Sequence, residues 1–229
     1  MSPPAISVLL EIDGWPEDAT RFLTSLSRHR GASTVEVIAV DRRPRADPPL
    51  SQGLVDQLLM APGAGFGAAC NLALGAANGD VAVLVDTSLE LTGDLFGALM
   101  TALDDPTVAV AGPFGLATAD LCDYEERTAG DIAAVQGYCL AARRADLAAA
   151  GGVQEAFTWY RNADIDVSLR LRTLAGPVRR AVAAGSEHCL RHSHRAWEAT
   201  PEAERGERSR RNMGVVHEVF FGRKDLTVA

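Results

Sequence analysis

The sequence predicts an α/β fold, with a mostly parallel central sheet and helices on both faces. Its central unit is residues 79–113, where an unbroken apolar run, Val81–Val85, is followed by a helical pattern and by a second apolar run at 108–111. Uninterrupted apolar strands are typical of parallel sheets that are covered on both faces. The unit is therefore predicted to be strand, helix, strand.

Two strands are predicted ahead of this unit. The first is Ile6–Ile12, and the helix after it begins at Pro16, because proline is favoured in the first turn of a helix. The second is Val35–Asp41. The polar, proline-rich stretch at 42–53 is predicted to be a connection, and 55–60 a short edge strand. The apolar face of the first helix consists of Phe22, Leu23 and Leu26.

A glycine-rich segment leads into the next helix. Gly63, Gly65 and Gly67 are spaced like part of a dinucleotide-binding fingerprint, but the full pattern is missing and the preceding strand is weak. A nicotinamide cofactor is therefore not predicted. The apolar positions of the helix are Ala69, Leu72 and Leu74.

Thr92 is predicted to cap the helix of the central unit, which stops before Asp105 and Pro106. Its apolar positions are Leu95, Leu99 and Leu103. Beyond it, 114–134 is acid-rich and poorly periodic, which predicts a loop or a pair of short elements.

The remaining pattern predicts four elements. They are a strand over 138–142, a short helix that ends at the glycine pair 151–152, a helix over 164–174, and a long C-terminal helix that starts at 200–202, with Thr200 as its cap.

Composition excludes several classes of protein. The chain has 229 residues, 47% of them apolar, which is enough for one substantial core, so one domain is the default. A net charge of −8 argues against nucleic acid as the main partner. No apolar run is long enough to cross a bilayer, and a cytoplasmic protein is expected. The four cysteines have neither zinc-site nor disulfide spacing and are expected to be reduced and mostly buried.

Acidic residues follow three predicted strands. Glu11 and Asp13 lie at the end of the first, Asp41 ends the second, and Asp86 follows the central one. Ligands of open α/β sheets bind outside the carboxyl ends of the strands, so these acids predict a polar ligand crevice. The alternative is that each acid only caps the turn or helix that follows it.

The order of motifs resembles family-two glycosyltransferases of the GT-A fold. The resemblance runs through SVLLEIDGWPED, EVIAVD, GFGAACNLAL, the central unit, VQGYCLAARRADLAAAGGVQEAF and YRNADIDVSLRLRTLAG, and reaches about Trp197. It implies a nucleotide-binding half over 1–115, an acceptor and catalytic half over 116–196, and a helical tail over 197–229. It also implies inverting sugar transfer from a nucleoside-diphosphate sugar to an acceptor hydroxyl, with the sugar, the nucleobase and the acceptor undefined.

The resemblance assigns nucleotide contacts to several positions. Asp41 matches the family's acid after the second strand, and Asn71 matches the asparagine at the start of its glycine-rich helix. Asp86 matches the first acid of the family's Asp-x-Asp metal motif, but the second position is Ser88. Weak binding of Mg²⁺ or Mn²⁺ is therefore expected. At the first turn, where Glu11 and Asp13 lie, the sequence departs from the family.

The resemblance also assigns the catalytic base. Asp164 matches that acid, although the glutamate that usually precedes it is Ala163. The alternative for Asp164 is a helix cap. Asp166 is predicted to be structural, because Arg170 lies four residues on, at ion-pairing distance on a helix.

Histidine and aromatic residues complete the predicted site. His192 and His194 lie where the family often has a metal ligand or diphosphate contact, and three of the five histidines fall in this segment. Trp159 and Tyr160 could stack on an acceptor sugar, or could pack in the core.

Two other functions stay open at this point. The loss of motif acids at Ser88 and Ala163 is compatible with a non-catalytic, nucleotide-sugar-binding homologue. A nucleotidyltransferase of similar fold would need a basic loop after the first strand, and 13–20 contains no Lys or Arg.

The tail ends in an apolar stretch that must be buried. Its apolar residues are Val215, Val216, Val219, Phe220 and Phe221. They could pack on their own domain or on a second copy in a homodimer. A membrane surface is disfavoured, because the chain is acidic and has only Arg223 and Lys224 beside the patch.

Overall fold

A computed structural model describes residues 4–45, 50 and 53–229. The strands are β1 Ile6–Ile12, β2 Val35–Asp41, β3 Gln57–Met60, β4 Val81–Val85, β5 Leu89–Leu91, β6 Val108–Gly112, β7 Gly115–Ala117, β8 Glu125–Arg127, β9 Ala129–Ile132, β10 Ala134–Val135, β11 Cys139–Arg143, β12 Arg180–Ala184 and β13 Leu190–His192. The α-helices are α1 Pro16–His29, α2 Phe66–Ala76, α3 Leu95–Asp104, α4 Arg144–Ala149, α5 Ala163–Thr173, α6 Arg195–Ala199 and α7 Glu202–Phe220. Of the loop predicted at 42–53, residues 46–49, 51 and 52 lie outside the described residues.

The central sheet has the strand order β3-β2-β1-β4-β11-β6-β12-β9. Its first four strands are parallel, as the apolar runs predict. β11 runs antiparallel to both of its neighbours, β4 and β6. This reversal places the start of β11 beside the end of β4, so residues that precede β11 reach the edge where ligands are expected.

Each face of the sheet is covered by its own hydrophobic core. Alternate residues of β1 point to opposite faces, as strand geometry requires. Ile6, Val8, Leu10 and Ile12 pack with α1 and α3, whereas Leu9 faces α2 and α5. The sheet is therefore buried on both sides, which explains why β1 and β4 are apolar throughout.

Two predicted helix caps are wrong. The cap of α3 is Asp94, whose carboxylate accepts a hydrogen bond from the Gly97 amide at 3.0 Å. The Thr92 hydroxyl instead donates to the His188 carbonyl, at 3.1 Å. The Thr200 hydroxyl donates back to Ala196, in the helix before α7, at 2.8 Å. Thr92 thus joins the segment before α3 to the segment before β13, and Thr200 closes the end of α6.

The acid-rich stretch at 114–134 forms short strands. β7, β8 and β10 make a small separate sheet, and β9 forms one edge of the central sheet. These strands are only two to four residues long, too short to show a period in the sequence.

The C-terminal tail packs on its own domain. Val216 and Phe220 of α7 are buried in the same core as α2 and α5. Leu226 joins them, and its carbonyl accepts a hydrogen bond from Arg172 at 2.7 Å. Val219 and Phe221 remain exposed, and a contact with a second copy stays a prediction. Within the described ranges, no helix combines the length and apolarity that a bilayer crossing requires.

Replacement by alanine should have very different effects at the two adjacent phenylalanines of the tail. Phe220 is 2% exposed and Phe221 is 68% exposed. We expect Phe220→Ala to lower the free energy of unfolding by about 3–5 kcal/mol, because it leaves a cavity in the core. Phe221→Ala should change it by less than about 0.5 kcal/mol. Urea unfolding of both variants measures the difference, and equal effects would contradict the packing of α7 described above.

Candidate functional site

A large cavity opens at the carboxyl end of the parallel strands. Its volume is about 1270 Å³, and its walls include the ends of β1 and β4, the start of α5, and the tail. Of the predicted site residues, the cavity brings together Glu11, Asp13, Asp86, Trp159, Tyr160, Asp164, His192 and His194. Asp41 and Asn71 do not line it. The predicted crevice is therefore present, with two predicted members outside it.

Asp86 lies in a tight turn at the end of β4. Its Oδ1 atom accepts hydrogen bonds from both the backbone amide and the hydroxyl of Ser88, each at 2.7 Å. The Asp86 amide donates to the Tyr138 carbonyl at 2.8 Å, which joins the turn to the start of β11. Ser88 thus occupies one carboxylate oxygen of Asp86 and leaves the other for a ligand.

Glu11 and Asp13 share one cation at the end of β1. Arg42, just after β2, approaches Asp13 at 2.7 Å and Glu11 at 3.3 Å. Burial raises the pKa of Glu11 to about 7, and the charges of Asp13 and Asp86 act in the same direction, whereas Arg42 opposes them. Glu11 therefore changes its charge near neutral pH. The segment at 42–53, predicted to be only a connection, thus supplies Arg42, which pairs with both acids at the end of β1.

Asp41 lies beneath the edge of the cavity and does not line it. Its side chain is fully buried, and both carboxylate oxygens accept hydrogen bonds from the Arg43 guanidinium, at 3.0 and 2.7 Å. The pair holds the end of β2, and a nucleotide contact at Asp41 stays a prediction.

Asn71 does not line the cavity either. Its amide exchanges two hydrogen bonds with the backbone of Val153, each at 2.8 Å. These bonds join α2 to the loop that follows α4. A nucleotide contact at Asn71 stays a prediction.

The glycine-rich segment does not form a phosphate site. The amides of Phe66 and Gly67, at the start of α2, donate to the carbonyls of Thr158 and Phe157. A Cβ atom on Gly67 would lie 2.3 Å from the Gln154 carbonyl oxygen, so the close approach of this loop requires glycine. The first amides of α2 are therefore engaged by backbone carbonyls.

Asp164 and Asp166 differ in their surroundings, although both lie in the first turn of α5. Asp166 is fully buried and pairs with Arg170 at 2.6 Å, as predicted. Asp164 faces the cavity, where its Oδ2 atom accepts a hydrogen bond from the Gly137 amide at 2.8 Å. Its Oδ1 atom is buried and has no hydrogen-bond partner among the described residues. Burial raises the pKa of Asp164, and the nearby Gly137 amide and Arg161 limit the rise.

His192 and His194 form a stack with Tyr138. The ring centroids of His192 and Tyr138 are 4.1 Å apart, with an angle of 27° between the ring planes. The centroids of His192 and His194 are 4.3 Å apart, and these two rings are nearly perpendicular. Burial lowers the pKa of His192 to about 4, against the attraction of Asp86, so the imidazole is neutral at physiological pH. Within the described part of the chain, both of its ring nitrogens are buried without a hydrogen-bond partner.

The fit of these residues to a divalent metal is incomplete. Neutral imidazole and carboxylate are suitable donors, and the unpartnered nitrogens of His192 are free to coordinate. However, no three His, Cys, Asp or Glu side chains in the described ranges lie close enough together to hold an ion. Protein donors alone therefore do not make a metal site, and ligand oxygens would have to complete it.

The tail contributes a wall of aromatic and arginine side chains that the sequence analysis missed. Trp197 of α6 stacks on Trp159, with centroids 6.0 Å apart and planes at 13°. The guanidinium groups of Arg161 and Arg205 lie 4.8 and 4.7 Å from the centre of the Trp197 ring. Burial raises the pKa of Tyr160 to about 12, so its hydroxyl stays protonated. The spacing of Trp197 and Arg205 carries no recognisable period, because they come from two different helices.

Comparison with solved structures identifies the architecture. The structure is similar to the mannosyltransferase PcManGT from Pyrobaculum calidifontis in complex with GDP-Man and Mn²⁺, with a TM-score of 0.61 and 19% identity, over 81% of this chain and 56% of that one. It is similar to GalNAc-T7 with UDP, GalNAc and Mn²⁺, with a TM-score of 0.72 and 14% identity, over 97% of this chain and 49% of that one. The chain has the GT-A fold. The fold that the motif order predicts is thereby confirmed.

A third structure with the GT-A fold agrees with these two. TarS from S. aureus has a TM-score of 0.57 and 16% identity, over 77% of this chain and 34% of that one. This chain thus spans 34 to 56% of the length of the three proteins. No family model and no curated protein sequence matches the chain.

Removal of the Glu11 charge should alter how stability depends on pH. The folded-state pKa is raised, so between about pH 4.5 and 7 the folded chain binds more protons than the unfolded chain, and stability falls as pH rises through this window. Glu11 faces Arg42 and Asp13 at the sheet edge, Asp86 after β4, and the buried Cys70 thiol of α2. We expect Glu11→Gln to raise the melting temperature relative to the wild type at pH 8, but not at pH 4.

Melting curves at pH 4 to 8 test this expectation. Glu218→Gln is a matched control, because Glu218 is exposed on α7 and does not line the cavity. Parallel curves for the wild type and Glu11→Gln would contradict a raised pKa at Glu11.

Proposed function

We propose that the chain transfers a sugar from a nucleoside-diphosphate sugar to an acceptor hydroxyl, with inversion at the anomeric carbon. The observation that carries the proposal is the pairing of two carboxylates in one cavity of a GT-A fold. Asp86 lies at the end of β4, where Ser88 contacts its Oδ1 atom, and Asp164 faces the same cavity with an oxygen that has no hydrogen-bond partner among the described residues. Their surroundings differ as the two roles in such a transfer require.

Asp164 is proposed to be the catalytic base. An inverting displacement needs a group that takes the proton of the acceptor hydroxyl as this oxygen attacks. The Gly137 amide holds Oδ2 and orients the carboxyl group, and Oδ1 is left to accept the proton. A raised pKa brings the base nearer to the working pH, which favours proton transfer in the transition state.

Asp86 is proposed to act on the leaving diphosphate. Departure of a diphosphate concentrates negative charge, which must be neutralised. PcManGT and GalNAc-T7 were solved with Mn²⁺, and a divalent ion held here by Asp86 with His192 or His194 would supply that neutralisation. Because the protein donors are incomplete, we propose that such an ion binds weakly and together with the nucleotide.

The aromatic residues are proposed to receive the acceptor. Trp159 and Tyr160 are adjacent, with centroids 4.9 Å apart, and both line the cavity on the side of Asp164. Aromatic faces suit the apolar faces of sugar rings. The Tyr160 hydroxyl, which stays protonated, can donate a hydrogen bond to such a ligand.

A non-catalytic nucleotide-sugar-binding protein is the second candidate. It is favoured by the Ser88 contacts, which occupy one oxygen of Asp86 as in an ordinary turn, and by the fully buried Asp41. The two candidates agree on nucleotide binding and differ in turnover, so one series of measurements separates them.

The proposed function predicts nucleotide binding and turnover that depends on Asp164. UDP or GDP with Mn²⁺ should raise the melting temperature and bind in calorimetry, whereas uridine and guanosine should bind much more weakly. Asp164→Asn should bind the nucleotide as the wild type does, but should lower hydrolysis of a panel of UDP- and GDP-sugars by about a hundredfold or more, because the base is lost.

The control for that variant is Asp104→Asn, which changes an exposed carboxylate at the end of α3, outside the cavity. Nucleotide binding without turnover in the wild type would favour the non-catalytic candidate. Absence of binding to any nucleoside diphosphate would reject both.

The weak metal site gives a gain-of-function prediction. With saturating UDP or GDP, the wild type should need on the order of millimolar Mn²⁺, and Ser88→Asp should tighten binding about tenfold, because it restores a second carboxylate. Ser88→Ala is the control, because it removes the hydroxyl contact to Asp86 without adding charge. Tight Mn²⁺ binding by the wild type without nucleotide would instead indicate that His192 or His194 replaces the lost acid.

A further inference from the structure

Two arginines on the tail side of the cavity are not used by the fold. Arg161 precedes α5 and Arg205 lies in the first turns of α7, and the guanidinium of each lies over the ring of Trp197. Within the described part of the chain, neither guanidinium forms an ion pair or a hydrogen bond, and the Nε atom of Arg205 is buried. Their neighbour Arg208, by contrast, pairs with Glu204.

The Trp197 ring holds both cations in place before any ligand arrives. An arginine that lies over an aromatic ring keeps the N–H groups at its edge available, and its freedom is already reduced. Planar N–H groups of this kind bind phosphate oxygens in pairs. Arg161 and Arg205 both line the cavity, so they place two positive charges beside Trp197, where an anion can bind.

The position of these two charges relates them to the reacting groups. The charge of Arg161 acts on Asp164, Tyr138 and Tyr160, and that of Arg205 acts on Tyr160. Asp86 also acts on Tyr160. Arg161 therefore lies within electrostatic range of the proposed base Asp164, and both arginines lie within range of Tyr160.

We propose that Arg161 and Arg205, held by Trp197, form a subsite for phosphate oxygens. The proposal rests on the proposed function in one respect: the oxygens would be those of the donor diphosphate or of a phosphate on the acceptor. In either case the arginines supply positive charge that the incomplete metal site lacks. The subsite is built mainly by the tail, so α6 and α7 are part of the binding site.

The test is calorimetry of the full chain with inorganic pyrophosphate, UDP and GDP. Arg161→Gln and Arg205→Gln should each weaken pyrophosphate binding about tenfold or more, because each removes a charged donor pair. Arg211→Gln is the matched control, since it removes the same charge from an exposed position of α7 that does not line the cavity, and it should bind as the wild type does. Arg161 is exposed, so its variant keeps the proposal testable if Arg205→Gln fails to fold.

The probes distinguish the sources of the phosphate. Weakened UDP or GDP binding in both glutamine variants supports a donor diphosphate at the subsite. Unchanged nucleotide binding, with arginine-dependent pyrophosphate binding at saturating nucleotide, supports a phosphate on the acceptor. Arginine-dependent pyrophosphate binding without any nucleotide binding supports the subsite and rejects the proposed function. Two results together would overturn the subsite. The first is that pyrophosphate does not bind, or binds equally to the wild type and both glutamine variants, and the second is that the variants do not change nucleotide binding.

Discussion

The hydrogen bond from the Asp86 amide to the Tyr138 carbonyl, 2.8 Å long, joins the two halves of the cavity. It exists because β11 runs antiparallel to β4, which brings the residues before β11 to the end of the parallel strands. The neighbouring Gly137 amide orients Asp164, and the Tyr138 ring supports His192. A Cβ atom on Gly137 would lie 3.1 Å from the Cβ atom of Asp164, so this approach favours glycine. Two consecutive residues, Gly137 and Tyr138, thus link Asp86, Asp164 and His192.

Charge is arranged on opposite walls of this cavity. Glu11, Asp13 and Asp86 lie at the strand ends, and Arg161 and Arg205 lie on the tail side. Burial raises the pKa of Glu11, and the charges of Asp13 and Asp86 add to the rise, because a further negative charge there is unfavourable. The acids alone would repel a phosphate ligand. Binding of phosphate therefore requires either a cation between the phosphate and the acids or contact between the phosphate and the arginines. The loss of a second acid at Ser88 makes the arginines more important in this balance.

The sequence was informative where a local pattern determines structure. Strands β1, β2 and β4 and the apolar face of α3 follow directly from apolar periodicity, and the Asp166–Arg170 pair follows from helical spacing. Asp41 shows a limit of sequence-based prediction. The residue pattern of β2 does not reveal that the Arg43 side chain, two residues later, pairs with the Asp41 carboxylate. Asn71 is similar, since its partner Val153 is 82 residues away in the sequence. The contact between Asn71 and Val153 depends on the tertiary fold and leaves no local pattern.

The tail shows why the catalytic side of the cavity could not be derived from the resembling motifs alone. Asn162, two residues before Asp164, has a left-handed backbone with φ of 66°, which is unfavourable for a residue other than glycine. Its side-chain amide donates to the Ser209 carbonyl at 3.0 Å, and Asn212 donates to the carbonyls of Trp159 and Arg161. These bonds from α7 stabilise the strained turn that starts α5. The tail therefore supports the position of Asp164, the proposed base, as well as lining the cavity, and a chain that ended at α5 would lack both contributions.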